Sequence, residues 1–290
     1  MQQEFKYADL LDDDVFKLVF GQESSKDVMI EFLNQVIEDR NIVDLTFIDK
    51  EMKSVNRGEK DSIYDMACDT DDGSRIVVEV QRRKQATYVE RAIYYSTFQV
   101  RNQVNAGSDD YAFCPVYVIN ILDFSLDENR DNPDVRTVYR LYEEKTHTLL
   151  TDKLTFIFLE LKKFNKTEEE LDGNILEGMY FCFRNMAKLR ARPKALAHEV
   201  FKKMFHICEL INMDELTRFK IITKMTTERD LRNQIAYAKK EAIAEGRAEG
   251  LAEGRAEGRA EIARNLKAAG VDYAIISSAT GLALEDVEQL

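Results

Sequence analysis

Two β-rich runs, residues 62–69 and 75–81, stand on either side of Asp71-Asp72-Gly73 and restrict the fold more than any other stretch of the chain. A three-residue loop with glycine at its last, left-handed position commonly connects two antiparallel strands. The glycine at 73 and the two flanking runs match that arrangement. The sequence therefore predicts a β-hairpin whose loop is centred on Asp72.

This predicted hairpin brings acidic side chains together. In its register Asp65 faces Glu79, with Cβ atoms about 4.5–5.5 Å apart, and Gln81 lies on the same side. Two facing carboxylates repel each other, whereas a hard cation such as Mg²⁺ would be coordinated by their oxygens. Two interpretations stay open: a cation site, or an open hairpin face on which both acids point to solvent. Under either one, four apolar residues pack the core from the other side, namely Tyr64, Met66, Val78 and Val80.

The chain changes character near residue 165. Before it, helical and β-rich patterns alternate, and the amphipathic stretch 86–105 is typical of a crossover helix. From Thr167 to about Lys240 the pattern is helical throughout. The predicted helices of the first part are 14–20, 26–38 and 86–105, and its predicted strands are 43–49, 62–69, 75–81, 115–122, 137–143 and 154–161. The first part is therefore predicted to be α/β and the second all-α.

The composition argues against several classes of protein. With 44% hydrophobic residues the chain can form a core, and its net charge of −12 disfavours a protein that coats nucleic acid. A nuclease with a local basic surface stays compatible with that charge. No apolar run approaches the roughly 18 residues of a membrane span, and the acidic N-terminus is unlike a signal peptide. The four cysteines are widely separated, which argues against a zinc site or disulfide framework and predicts a reducing cytoplasmic location.

A four-residue repeat, Ala-Glu-Gly-Arg with one Leu in place of Arg, fills residues 244–261. On a helix its Glu and Arg side chains form stripes on nearly opposite sides and cannot pair with each other, and each glycine costs about 1 kcal/mol relative to alanine. One interpretation is a solvated linker. The other is a helix that pairs through its Gly/Ala surface with a second copy, which would make the protein a homo-oligomer. The tail after it, 262–290, resembles a helix-turn-helix.

Asp65 followed by Glu79-Val80-Gln81 resembles the D…(D/E)-x-K core of the PD-(D/E)XK nuclease superfamily, with glutamine at the lysine position. Further motifs narrow the resemblance to the Rpn-type recombination-promoting nucleases, which are also labelled transposases. The resemblance spans about residues 5 to 165, and the C-terminal repeat is also similar to repeats of that family. The motifs are Asp14-Val-Phe-Lys-Leu-Val-Phe-Gly21, Glu79-Val-Gln81, Tyr88-Val-Glu-Arg-Ala-Ile-Tyr-Tyr95, Gly107…Tyr111 before the strand at Pro115, and Leu159-Glu-Leu-Lys-Lys-Phe164.

The resemblance implies a restriction-endonuclease-like fold, which is a mixed sheet flanked by helices, followed by an all-α C-terminal region. It also implies a metal site in which Asp65, Glu79 and the Val80 carbonyl hold Mg²⁺, with Mn²⁺ or Ca²⁺ able to substitute. Gln81 would hydrogen-bond the attacking water, but it brings no positive charge.

A further metal ligand is implied on the first helix. Asp14 is the candidate, and Asp12 and Asp13 compete for the role. The alternative is that the acid at this position simply caps the helix.

Basic residues follow the predicted hairpin and recur in a second segment, 184–203, where Glu199 is the only acid. A run of charge is usually a solvated face, and the alternative is a surface that binds phosphate groups of DNA. The candidate DNA-binding residues are Arg82, Arg83, Lys84, Arg91, Arg101, Lys188, Arg190 and Arg192.

These observations predict a Mg²⁺-dependent DNA endonuclease of mobile-element type, with Asp65, Glu79 and Gln81 as catalytic residues. The alternative is a catalytically weak or inactive member that acts as a DNA-binding or oligomeric interaction module, which the glutamine, the acidic net charge and the repeat favour. The predicted domains are a nuclease-like domain at 1–165, a helical region at 166–240, a repeat helix or linker at 241–261 and a small helical tail at 262–290.

Overall fold

The structure, a computed structural model, describes residues 5–48, 51–52, 62–104 and 110–290. The chain forms two compact units, Met1–Met225 and Thr226–Leu290. Gly107 of the motif that ends at Tyr111 lies outside the described residues.

A mixed six-stranded sheet organises the first unit. The strands of this sheet and of a separate short pair are β1 (Leu45–Phe47), β2 (Glu51–Met52), β3 (Ser62–Ile63), β4 (Met66–Thr70), β5 (Arg75–Gln81), β6 (Val116–Leu122), β7 (Arg136–Tyr142) and β8 (Leu149–Glu160). The order in the sheet is β1-β4-β5-β6-β8-β7, and β2 pairs with β3. β6 runs parallel to both β5 and β8, and the other pairs are antiparallel.

Helices cover both faces of this sheet and form the C-terminal region. They are α1 (Asp13–Phe20), α2 (Lys26–Val36), α3 (Tyr88–Arg101), α4 (Ile175–Asn185), α5 (Glu199–Cys208), α6 (Glu215–Ala268), α7 (Tyr273–Thr280) and α8 (Leu284–Gln289). Single turns of 3₁₀ helix lie at Glu23–Ser25, Leu161–Lys163, Glu168–Glu170, Met186–Lys188 and Leu210–Asn212.

The main core lies between one face of the sheet and the helices α1, α2, α4 and α5. Phe16, Phe32 and Phe183 from three of these helices are fully buried there. α3 covers the opposite face, where Tyr88 and Ala92 are buried. β6 is buried at every position, as expected for a strand that is paired on both edges and covered on both faces. The predicted fold class is confirmed.

The predicted helices of the first part are present, and so are its predicted strands except the run 62–69, which is divided into β3, paired with β2, and β4 in the main sheet. Among the strand boundaries, the largest difference concerns β8. This strand begins at Leu149, whereas the prediction began at residue 154. Its added residues pair with the end of β7, since Leu141 lies opposite Thr151 and Tyr142 lies opposite Leu149. The β7–β8 hairpin therefore extends beyond the stretch that β6 covers.

The predicted central hairpin is confirmed in its register and its turn. Met66 lies opposite Val78 in the β4–β5 pair, as a loop centred on Asp72 requires. Gly73 has a φ of +80°, in the left-handed region, and its N–H donates to the Thr70 carbonyl at 2.9 Å. An ordinary side chain would be strained in that conformation, which explains why glycine ends the loop.

The chain departs from regular strand geometry just before β4. The Asp65 carboxylate accepts a hydrogen bond from the Val80 N–H at 2.7 Å, so a side chain occupies a backbone donor of the hairpin. Tyr64 packs on the α3 side of the sheet with Val77, whereas Met66 packs in the main core. The expectation that Tyr64 shares a face with Met66 is corrected by this irregularity, because strict alternation ends at Asp65.

The repeat lies within α6, and its described side chains are largely exposed. A Cβ added to any of its glycines would meet no other atom within 4 Å. Near the C-terminus, Ala263, Ile276 and Val287 form a small core, and Gly281 ends α7 with a φ of +71°. Among the described helices, none is long and apolar enough to cross a membrane.

Candidate active site

Glu79 is buried in the sheet near the carboxyl end of β5. Its side chain is 15% exposed. The pKa of this carboxyl is raised to about 8. Burial is the main cause, and the negative charges of Asp65 and Asp13 together raise the pKa more than the positive charge of Arg91 lowers it. The protein therefore compensates only in part for the ionisation of this acid. The interpretation of an open hairpin face with solvated acids does not describe this position.

Asp65 lies beside Glu79, as the hairpin register predicts. Its charge is the largest nearby charge that raises the pKa of Glu79, while its backbone N–H donates to the Glu79 carboxylate. Its own carboxylate is anchored on the Val80 N–H. The two acids are thus held together by the backbone on both strands of the hairpin.

Gln81 contacts a cation that comes from a different element. The Arg91 Nη2 on α3 donates to Gln81 Oε1 at 2.7 Å and to Glu79 Oε1 at 3.1 Å. At its other end, Gln81 Nε2 donates to the Arg83 carbonyl at 2.9 Å. A guanidinium only donates, so this contact fixes which end of the Gln81 amide faces the helix.

Arg91 is itself supported by two aromatic rings. Its guanidinium lies 4.8 Å from the ring centre of Tyr88 and 5.8 Å from that of Tyr95. The Tyr88 hydroxyl donates to the buried Asn120 Oδ1 at 2.9 Å, which fixes the ring against β6. A cation stacked on a ring that is itself anchored has little freedom to move. The sequence indicated Arg91 only as a DNA-binding residue and gave no sign of its contact with Glu79.

The three acids at the start of α1 make different contacts. Asp12 caps the helix, accepting from the N–H groups of Asp14 and Val15. Asp14 accepts from Lys224 and, at 3.0 Å, from Lys220, and the Lys224 ammonium lowers the pKa of Asp14.

Asp13 is the acid of α1 whose charge raises the pKa of Glu79. Of the three candidates for an additional ligand, it is therefore the one that the electrostatics associate with the site. Its position on the first turn of α1 was visible in the sequence, but the direction in which the helix presents it was not.

The residues at this site fit a hard divalent cation. Asp65 and Glu79 offer carboxylate oxygens, which Mg²⁺ prefers, and a cation would offset the cost of ionising Glu79. Within the described part of the chain, no group of three or more His, Cys, Asp or Glu side chains is arranged to enclose a metal. A site with few protein ligands suits Mg²⁺, which usually keeps several waters and binds substrate phosphates.

A cavity of about 230 Å³ adjoins Asp65 on the side of α1 and β1. Phe47 and Ile48 provide apolar wall, and Lys17 and Gln22 provide polar groups. This cavity gives one of the acids access to a space outside the core.

Several of the candidate DNA-binding cations are engaged within the protein. Arg82 forms an ion pair with Asp9 at 3.0 Å, and Lys84 forms one with Asp127 at 2.5 Å. Arg192 donates to a backbone carbonyl of its own segment. Arg82 is largely buried and ties the end of β5 to the N-terminal segment, so its role includes holding the fold together.

Other cations of the predicted set are exposed. Arg83, Lys188 and Arg190 lie at the surface, as does Arg101, whose guanidinium stacks 4.8 Å from the Phe98 ring centre. These side chains are in a position to meet a large anionic partner.

Comparison with known proteins identifies the group to which this site belongs. Residues 10–238 match the family described as PD-(D/E)XK nuclease family transposase. The chain belongs to this family. The match includes the hairpin with its two acids, α3 with Arg91 and the first part of α6. No curated protein and no solved structure matches the chain.

Proposed function

We propose that this PD-(D/E)XK nuclease family transposase hydrolyses phosphodiester bonds of DNA in a reaction that depends on a divalent cation, Mg²⁺ in the cell, and that it promotes recombination. The observation that carries the proposal is the buried Glu79 beside Asp65, two acids that can both ionise favourably only if a further cation is added. Family membership supports DNA as the substrate.

The roles follow from the geometry. Asp65 and Glu79 would hold the cation, with the Val80 carbonyl as a further ligand, and Asp13 would add negative charge nearby. When bound there, a divalent cation would supply Lewis acidity toward a water and positive charge beside the phosphate. Gln81 accepts a hydrogen bond from Arg91, and its amide orients the water through the groups that this contact leaves available.

Nicking of supercoiled plasmid tests this proposal. We expect the wild-type protein to nick plasmid with Mg²⁺ or Mn²⁺ and not with EDTA, and Asp65→Asn to lose the activity. Asp69→Asn is the matched control, because Asp69 lies on the same hairpin but pairs with Arg75 at 2.7 Å. Cleavage by Asp65→Asn at the wild-type rate would overturn the proposal.

The same assay separates the alternative, a catalytically weak protein that serves as an interaction module. Gln81 in place of a lysine is the observation that favours it. Cation-independent DNA binding without any nicking would establish that alternative.

We also propose that exposed cations bind the DNA backbone, with Arg83 nearest in sequence to the acids. Arg83→Ala should weaken DNA binding and reduce its salt dependence by about one counterion. Arg82→Ala is the contrast, because the Arg82 charge is paired with Asp9 and its loss should lower stability instead. If Arg83→Ala and the wild-type protein bind DNA with equal affinity, Arg83 is not part of the DNA-binding surface.

The repeat supports a further proposal, that the protein is a homo-oligomer through residues 241–261. Its exposed Glu and Arg stripes can be neutralised by a neighbouring copy, and exposed ion pairs contribute only about 0–1 kcal/mol each. Affinity should therefore be modest and weaken with salt. Sedimentation of the full chain, compared with a chain that ends at Tyr237, tests this proposal. If both proteins are monomers at tens of micromolar, the repeat is a linker.

The domain division and the cellular location are proposals as well. We propose that the nuclease module extends beyond residue 165, because α4 and α5 share the core of the sheet and the family match reaches residue 238. Four free cysteines support a cytoplasmic location.

A further inference from the structure

The hairpin presents acids but no cation of its own at the reaction centre. Gln81 is neutral, and the nearest basic residue that follows it in the chain, Arg82, points to Asp9 at 3.0 Å. A phosphate that gains negative charge as its bond breaks is stabilised by a fixed positive group beside the metal. A positive charge at this position must therefore come from a side chain outside the hairpin.

We infer that Arg91 of α3 is a catalytic residue that supplies this positive charge to the phosphate undergoing cleavage, in place of the lysine that Gln81 replaces. Arg91 contacts both Glu79, at 3.1 Å, and Gln81, at 2.7 Å. The inference rests on the proposed nuclease function and names a further residue of the same site.

Arg91 has one donor available for a substrate oxygen. A guanidinium carries five N–H groups. Hydrogen bonds to Glu79, to Gln81 and to Gln85 Oε1 at 3.0 Å account for three of them, and a hydrogen bond to the Tyr88 hydroxyl accounts for a fourth, which leaves one. The planar group can therefore hold the two strand residues on one edge and meet a phosphate oxygen with another.

The support behind Arg91 keeps the charge in place before substrate binds. Tyr88 and Tyr95 hold the guanidinium by their ring faces, and Asn120 on β6 anchors Tyr88. Such preorganisation is what makes a charge effective in a transition state, because no rearrangement is needed at the moment of reaction. A solvated surface arginine would lack it.

A rescue experiment tests the inference. Arg91→Ala should lower kcat for plasmid nicking by about 100-fold, with a much smaller change in KM, as expected for the loss of one transition-state donor. Adding Gln81→Lys to Arg91→Ala places an ammonium on the strand and should restore kcat to within about tenfold of wild type, since the charge returns to the same site. Arg130→Ala, which removes an exposed guanidinium that pairs with Asp127 at 3.0 Å, is the control and should keep wild-type activity.

Binding of Ca²⁺ in the absence of DNA provides a readout other than cleavage. Removing a positive charge next to Glu79 increases the attraction for a divalent ion, so Arg91→Ala should bind Ca²⁺ about three to ten times more tightly. The double variant should return to the wild-type affinity. A purely structural arginine would give the opposite result, because loss of its packing would loosen the site and weaken Ca²⁺ binding.

The outcomes distinguish the two proposals. If wild-type protein nicks DNA and Arg91→Ala nicks it equally fast, or if Gln81→Lys fails to restore cleavage, the inference is wrong and the nuclease proposal stands. If wild-type protein does not cleave DNA with any divalent cation, the nuclease proposal fails, and the inference fails with it.

Discussion

The carboxyl ends of β5 and β8 each carry a buried glutamate, and the two glutamates differ in the hydrogen bonds and ion pairs that compensate their charge. Glu160, the last residue of β8, is fully buried. Its carboxylate accepts from the Leu126 N–H at 2.8 Å, from Lys163 Nζ at 3.0 Å and from the Asn129 amide. Among the described residues, Glu79 of β5 pairs with Arg91, which Gln81 shares, accepts from the Asp65 N–H and has the carboxylate of Asp65 beside it.

This difference separates a structural acid from a candidate functional one. A buried charge with a cation and several hydrogen bonds is satisfied, and Glu160 thereby holds the loop after β6 against β8. A buried charge that lacks such compensation costs free energy. Glu79 is such a group, and an added cation would lower that cost. The four predictions below test this contrast.

The largest effect is expected at Glu79. Glu79→Gln should lower plasmid cleavage at least about 1000-fold, because it removes a cation ligand without changing the shape of the side chain. The protein should stay folded, as checked by circular dichroism and thermal unfolding. Wild-type cleavage, or an unfolded variant, would make Glu79 the structural residue of the pair.

Glu160 should respond in the opposite way. Glu160→Gln leaves the Lys163 ammonium, 8% exposed, without its counter-charge and should cost about 3 kcal/mol of unfolding free energy in urea titrations. Glu144→Gln, at an exposed position of the β7–β8 turn, should cost almost nothing. If both variants are equally stable, the Glu160 network does not support the fold.

The pH dependence of stability gives a third test. The pKa of Glu79 is raised from 4.5 to about 8 in the folded protein, so the native state retains a proton that the unfolded state releases. Its contribution therefore makes stability fall as pH rises from about 4.5 to 8, by roughly 2 kcal/mol after allowance for partial solvation, and then level off.

Chemical denaturation in metal-free buffer between pH 5 and 9 measures this fall. The difference between wild type and Glu79→Gln isolates it from the other titrating groups, because the amide has no proton to lose. If the unfolding free energies of the two proteins change with pH in parallel, the charge of Glu79 is better compensated than its surroundings indicate.

The smallest effect is the stabilisation by added cation. At ten times its Kd, Mg²⁺ should stabilise the wild-type protein by about 1.4 kcal/mol, because it binds only the folded state. Glu79→Gln should lose most of this shift, while Glu160→Gln should keep it. If Mg²⁺ stabilises all three proteins equally, the cation binds at a site that does not include Glu79.

The hairpin shows how much local patterns can predict. Gly73 and the two flanking runs were sufficient to place Asp65 beside Glu79, because turn chemistry and the two-residue period of a strand act over short distances. The tasks of Asp12, Asp13 and Asp14 could not be separated in the same way. Successive helix residues point about 100° apart, so the packing of α1 decides which acid meets which partner.

The sequence by itself determined the helices and most strands of the nuclease-like part, the register of the central hairpin and the pair of acids upon it. Only the tertiary structure decided that Arg91 reaches Glu79 from α3 and that Arg82 pairs with Asp9, 73 residues earlier in the chain. The physical reason is that hairpin register depends on neighbours in sequence. The partner of a charge at the end of a strand depends instead on how distant elements pack, and on the high cost of burying that charge without one.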